Sequence, residues 1–216
     1  MAAGADASDA SAAARAASVE SRIARVAQAI VQRPGALAER DEPYHEAAVA
    51  LVLREAEDDL ELLLIRRAAR EGDPWSGQVG LPGGRWDAGD ASLEETALRE
   101  TIEEVGIDVR AHGRVLGALD ELRPRTPVLP PIIVRPYVTI LDAAQGASTS
   151  VEVTPNHEVA SWRWVRVGEL FAPATRIVTT VEVRDMQLRV DAFQLGDYTV
   201  WGMTERILST FGEIWR

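Results

Sequence analysis

Leu81-Pro82-Gly83-Gly84-Arg85-Trp86-Asp87-Ala88-Gly89-Asp90, running through Ser92 to Arg99-Glu100-Thr101-Ile102-Glu103-Glu104-Val105-Gly106-Ile107, is the stretch on which the reading of this chain turns. Ser92 followed three residues later by Glu95 is a capping box and predicts a helix starting at 92. Gly106 ends it, since glycine enters the left-handed conformation without a steric penalty. At about 100° per residue, Glu100, Glu103 and Glu104 fall together on one face, and Leu98, Ile102 and Val105 on the opposite, burying face. Neighbouring carboxylates at this spacing repel by a few tenths of a kcal/mol each. Arg99 can pair with Glu103, which leaves Glu100 and Glu104 uncompensated. Divalent cations that favour hard oxygen ligands would relieve that repulsion. The glycine pair before the helix lets backbone approach closely, so a carbonyl near Gly84 can join the ligand set. Three glutamates alone would more often describe a solvated acidic face. The glycine pair, the cap, the Arg-Glu dyad and the closing glycine tilt the reading toward a metal site.

Outward from this segment, residues 47–54 and 60–67 are apolar runs of strand length, joined by an acidic turn at 55–59. Glycine and proline crowd residues 72–89, which predicts a long structured loop. Further strands are expected at 115–119, 132–141 and 160–165, a hairpin at 178–183 and 187–190 turning at Arg184-Asp185, and a helix over 199–214. Strands and helices interleave without regular βαβ spacing. The fold class is therefore α/β with a mixed sheet and helices on both faces rather than a Rossmann sheet. Residues 1–17 are nearly all Ala, Ser, Gly and Asp and are expected to be a disordered segment. Residues 18–40 read as an N-terminal helix and linker, because Val19, Ile23, Val26, Ile30 and Val31 recur at helical spacing before Pro34-Gly35. That helix packs on the rest of the domain, residues 41–216, or on a second copy, so a homodimer is compatible with it.

Bulk properties narrow the function classes. The 216 residues suffice for one substantial domain. No run approaches the roughly 18 apolar residues of a membrane span, and the N-terminus lacks the order of a secretory signal. A cytoplasmic, non-membrane protein is expected. There is no cysteine, which removes disulfides, thiolate metal sites and thiol nucleophiles. A net charge of -11 argues against nucleic acid as partner but not against a small anionic substrate bridged by metal ions. All 23 basic residues are arginine, so no lysine is present to form a Schiff base or a P-loop. His45, His112 and His157 show no ligand spacing. Ser76 lacks the glycine flanks of a nucleophile elbow.

Residues 99–107 resemble the C-terminal half of the Nudix box: Arg-Glu, two residues, Glu-Glu, one residue, Gly and an aliphatic. The glycine-rich front half is similar too, with Asp90 where the usual box has Glu six residues after its glycine, and one extra residue before Arg99. This register, with Pro82-Gly83-Gly84, Asp87, Asp90, Thr96-Ala97 and Arg99-Glu100, resembles the coenzyme A diphosphatase branch, as do Gly77-Gln78-Val79, Glu158-Val159-Ala160 and Trp201-Gly202-Met203-Thr204. One departure is Asp73, where that branch carries an arginine four residues before the glycine of its Gly-Gln pair.

The resemblance implies a Nudix-type α/β/α sandwich that hydrolyses the diphosphate bond of a nucleoside diphosphate derivative. In that branch the substrate is coenzyme A, cut to 3′,5′-ADP and 4′-phosphopantetheine. It implies Mg²⁺ or Mn²⁺ held by Glu100, Glu104 and Glu103 with a carbonyl near Gly84. Glu103 would act as a second ligand or proton acceptor, and Arg99 would orient the carboxylates. Arg66, Arg67 and Arg85 are candidate phosphate contacts, and Glu158 a candidate distal ligand or base. Trp75 is read as packing ahead of base stacking, and Asp87 and Asp90 as turn or supporting groups. Other ligands in the same class are ADP-ribose, oxidised nucleotides and dinucleotides. A non-catalytic nucleotide-binding module is disfavoured because all three box glutamates are kept.

Overall fold

The computed structural model describes residues 4–41, 43–72, 75–124, 131–142, 151–183 and 186–216; side chains are described from residue 17, save that of residue 18. The elements in chain order are α1 (Gly4–Gln32), β1 (His45–Glu55), β2 (Leu60–Arg67), β3 (Val79–Gly80), β4 (Gly83–Arg85), α2 (Leu93–Val105), α3 (Val109–His112), β5 (Gly113–Ala118), β6 (Ile132–Leu141), β7 (Val159–Arg166), α4 (Val167–Leu170), β8 (Arg176–Val183), β9 (Met186–Leu195), β10 (Tyr198–Trp201) and α5 (Gly202–Trp215). Asp73 and Pro74, and the hairpin turn at Arg184-Asp185, lie outside the described residues.

β1 is central because it is apolar on both faces. Ala48, Ala50 and Val52 go into the core layer under α2, while Ala47, Leu51 and Leu53 join the layer shared with α1 and α5. A strand buried on both sides reads as a continuous apolar run rather than an alternation. β1 pairs antiparallel with β2 and parallel with β6, with His45 opposite Ile132 and Leu51 opposite Val138. Outward, β5 pairs with β6, and β2 pairs with both β3 and β7. β4 adds to β1, antiparallel, with Val49 opposite Gly83. β8, β9 and β10 make a separate three-stranded sheet. The expected mixed sheet with helices on both sides is what the chain forms.

Two expectations at the ends of the chain change. The segment over 199–214 is not helical throughout: Tyr198–Trp201 pairs with β9 as a strand, and the helix starts at Gly202, where φ is 69°. Period-2 burial of Tyr198 and Val200 ran directly into the helical pattern and hid that boundary. At the other end α1 begins at Gly4, inside the segment expected to be disordered. Low apolar content argued for disorder, but alanine is the best helix former and extends a helix already nucleated downstream.

The stripe Val19, Ile23, Val26 and Ile30 is buried against the chain's own β5 and α5, with Val31 left 73% exposed. Arg22 pairs with Asp59 at 3.1 Å and lies over the Trp215 ring. With its apolar stripe covered within the chain, α1 no longer argues for a second copy. The linker is fastened as well: Ala36 N–H donates to Asp120 and Ala38 N–H to Glu121, whose buried carboxylate also pairs with Arg40 and Arg135. No helix is long and apolar enough to cross a membrane among the described residues.

Candidate active site

The helix-start prediction is met at α2. Ser92 accepts the Glu95 N–H at 3.1 Å, and Gly106 closes the helix with φ 71° while its N–H donates to the Ile102 carbonyl. Thr96, Ala97, Leu98, Thr101, Glu104 and Val105 face inward. This rotation corrects two expectations. Ile102 is 38% exposed rather than buried opposite the acids. The three glutamates also do not converge: Glu100 and Glu104 turn into a cleft, while Glu103 points outward with its side chain 54% exposed. Among the described residues no three His, Asp or Glu side chains gather at one point. Residue 103 lies about 200° round the helix from Thr101, which is buried in the middle of the inward face, so its side chain is turned to solvent.

The cleft is a cavity of about 590 Å³ between the β1–β6 face, β3, β4 and the start of α5. Glu104 is its most buried acid. Its Oε2 accepts the Gly83 N–H at 2.9 Å and its Oε1 faces Arg67 Nη1 at 3.3 Å. Burial pushes its carboxyl up to about 7, the Gly83 N–H and Arg67 pull it down, and Glu100 and Glu158 add to the rise. Glu100 is also raised, first by burial, against the opposing pull of Arg99.

Close backbone approach makes the glycine pair necessary. Gly83 has φ 152°, and a Cβ there would lie 2.3 Å from the Ala48 carbonyl oxygen. A Cβ on Gly84 would lie 2.4 Å from Glu100 Oε1, so the carboxylate rests directly on that Cα.

Arg99 is held by a bidentate pair with Asp90, Nε to Oδ1 at 2.8 Å and Nη2 to Oδ2 at 2.9 Å. Nη1 then donates to Glu100 at 2.9 Å and Glu103 at 3.1 Å, and Nη2 reaches the Arg85 carbonyl at 3.3 Å. Asp90 is buried and also accepts from the Thr96 hydroxyl and the Asp87 N–H. Arg99 first, then these donors, hold its carboxyl well below the usual range despite burial. The Asp90-for-Glu departure thus has a structural counterpart: a tight Asp87–Asp90 turn brings a short acid to both Thr96 and Arg99.

Of the candidate phosphate contacts, Arg67 and Arg85 line the cavity. Arg66 does not. Successive strand residues point to opposite sides, and Arg66 lies over the Tyr198 ring and pairs with Asp197 at 3.1 Å. Glu158 faces the cavity and pairs with Arg70 at 3.5 Å. Trp75 packs against the core and also lines the cavity. His45, His112 and His157 are exposed. Gln78, Met203 and Thr204 belong to the wall but were not singled out as site residues, and only the similarity of 77–79 and 201–204 to the coenzyme A diphosphatase branch pointed toward them.

The donor set fits a divalent cation. It consists of hard oxygens only, and the negative charge of Glu158 acts on both Glu100 and Glu104, which favours positive charge beside them. The glycine under Glu100 leaves no Cβ between that carboxylate and the backbone.

The NUDIX domain family model matches residues 43–181. The chain is 37% identical over 115 residues to the Schizosaccharomyces pombe protein C14C4.10c, covering 52% of this chain and 33% of that protein's length. It is 35% identical over 148 residues to an uncharacterized Nudix hydrolase, NudL, of Pectobacterium atrosepticum, covering 68% of this chain and 71% of that one. In structure it is similar to a MutT/nudix family protein from Enterococcus faecalis, with a TM-score of 0.54 and 21% identity over 82% of this chain and 64% of the other. The domain match, with Gly83-Gly84 closing on Glu100 and Glu104, leads to one conclusion: this chain belongs to the Nudix family.

Proposed function

We propose that the protein is a divalent-metal-dependent hydrolase of a nucleoside diphosphate derivative, with coenzyme A as the favoured substrate. The observation that carries this reading is the pairing of buried Glu104 with Glu100 over the Gly83-Gly84 backbone, at one side of a cavity that also takes in Arg67, Arg70, Arg85 and Glu158. Glu100 and Glu104, with a carbonyl near Gly84, would hold Mg²⁺ or Mn²⁺. When bound, such an ion neutralises diphosphate charge and lowers the pKa of water.

The chain's own residues have separable tasks. Arg85, whose guanidinium has no ion pair among the described residues, and Arg67 bind the phosphate oxygens. Asp90 fixes Arg99, and Arg99 fixes Glu100 and Glu103. Glu158, facing the cavity, accepts the proton of the attacking water; Glu103, outward and tied to Arg99, serves orientation. Water adds to one phosphorus, the bridging P–O bond breaks, and the leaving phosphate carries away the electron pair, giving two phosphomonoesters.

Coenzyme A is favoured on the Asp87, Asp90 and Thr96-Ala97 register. Coenzyme A, ADP-ribose and a dinucleotide are each incubated with Mg²⁺ and the products identified by mass. Release of 3′,5′-ADP and 4′-phosphopantetheine is expected, and cleavage of ADP-ribose alone would reassign the substrate. Glu104→Gln should lower kcat by ~10²–10³-fold, the scale of losing one preorganised electrostatic contact. Unchanged turnover would remove Glu104 from the metal site.

A further inference from the structure

The acid side chains and arginines occupy only part of the cavity. The rest of its lining includes Val49, Leu81, Ile132, Val134, Met203 and Ile207, an uncharged wall formed by the sheet face and the first turns of α5. A diphosphate fills a small part of about 590 Å³ and needs no such wall. Sites that bury a larger ligand combine this kind of apolar lining with a few placed polar groups, and here Gln78 and Thr204 are the uncharged polar members. Leu81, Ile132, Val134 and Ile207 are otherwise buried, so this part of the wall is anchored in the core. Met203 and Thr204 are half-buried at the start of α5, where Gly202 turns the chain from β10 into the helix. Met203 and Thr204 are thus two adjacent, partly exposed side chains that α5 contributes to the wall.

We propose that this lobe is a subsite for an uncharged, largely apolar group attached to the diphosphate, and that Met203 with Thr204 sets which group is accepted. The inference rests on the hydrolase reading above and adds a selectivity determinant to it. Its chemistry is met by either half of a mixed diphosphate, a planar base or an aliphatic amide arm.

The test uses the full chain with Mg²⁺ and the substrate found by the panel, in Met203→Asp and Met203→Leu variants. A carboxylate facing the lobe would have to be desolvated against the ligand, so Met203→Asp should raise KM by about tenfold or more, with the smaller effect on kcat. Met203→Leu, of similar volume and polarity, should recover the lost affinity. The two halves of the substrate, for coenzyme A 3′,5′-ADP and 4′-phosphopantetheine, are then titrated as competitive inhibitors. Weakening of either by Met203→Asp supports the proposal and identifies which half occupies the lobe. Unchanged KM and unchanged inhibition by both compounds would overturn it, as would a loss confined to kcat. A Met203→Asp chain that fails to fold leaves Thr204→Asp as the second probe, read against the same outcomes. Failure of the hydrolase reading looks different, because no substrate in the panel would then be cleaved by the unaltered protein.

Discussion

Glu104 bears the largest electrostatic cost in the molecule's site. Its carboxyl titrates near 7 in the fold, against about 4.5 for an unhindered glutamate. A raised acid is favoured in its protonated form by the folded state. The penalty is therefore absent below the unfolded pKa, grows as pH rises from about 4.5 to 7, and is complete above that. Without metal, Glu104→Gln should accordingly stabilise the protein at pH 8 by ~1–3 kcal/mol, and the advantage should vanish near pH 4. Thermal melts of both proteins across that range check it, and an advantage that grows with acidity would contradict the assignment. Added Mg²⁺ should act against this order, raising the midpoint of the parent more than that of the variant, which has lost one of the two carboxylates. At this scale the sequence spacing already grouped Glu100 and Glu104, and both line the cleft. The outward turn of Glu103 was not legible, since helical periodicity brings 100, 103 and 104 together but does not fix which way the helix rolls. The same limit applies to Arg66 and Arg67: sequence shows two adjacent arginines, and only strand direction, with a bulge between them against β7, decides which enters the cleft.

Helix α2 is specified locally at both ends, which is why its bounds could be read so closely. Ser92→Ala removes the acceptor for the Glu95 N–H and should cost about 1 kcal/mol in denaturant unfolding. Its effect on catalysis should stay small, because Asp90 and Thr96 hold the first turn independently. A loss of turnover as deep as that of Glu104→Gln would mean that the cap, rather than the Asp90–Arg99 pair, positions Glu100. β6 was readable to the residue, as ten apolar-rich positions bounded by prolines and Asp142. β3 and β4 were not, because two- and three-residue strands of glycine-rich sequence carry no periodicity and exist only through their partners β2 and β1. β10 was absorbed into α5 for a related reason: a strand that runs into a helix without a turn residue beyond Gly202 offers no break to detect.

In the whole molecule, α1 is the element whose placement sequence left open between this chain and a second copy. Its buried stripe lies against β5 and α5, so Ile23→Ala should destabilise the monomer by ~2–4 kcal/mol through the cavity it leaves. Unfolding measured at two protein concentrations checks this, and a midpoint that depends on concentration would return α1 to an interface. The wider architecture was legible because the longer strands of the main sheet are apolar enough to declare themselves. The order of strands was not, since β1 finds its parallel neighbour far along the chain. That pairing bears on biosynthesis. When α2 emerges from the ribosome, β2 is available to β1, yet Ile132, the partner of His45, has still to follow it out. A nascent chain halted in this interval presents the apolar flank of β1 uncovered, a natural target for chaperones, and completes its cleft only once β6 is released.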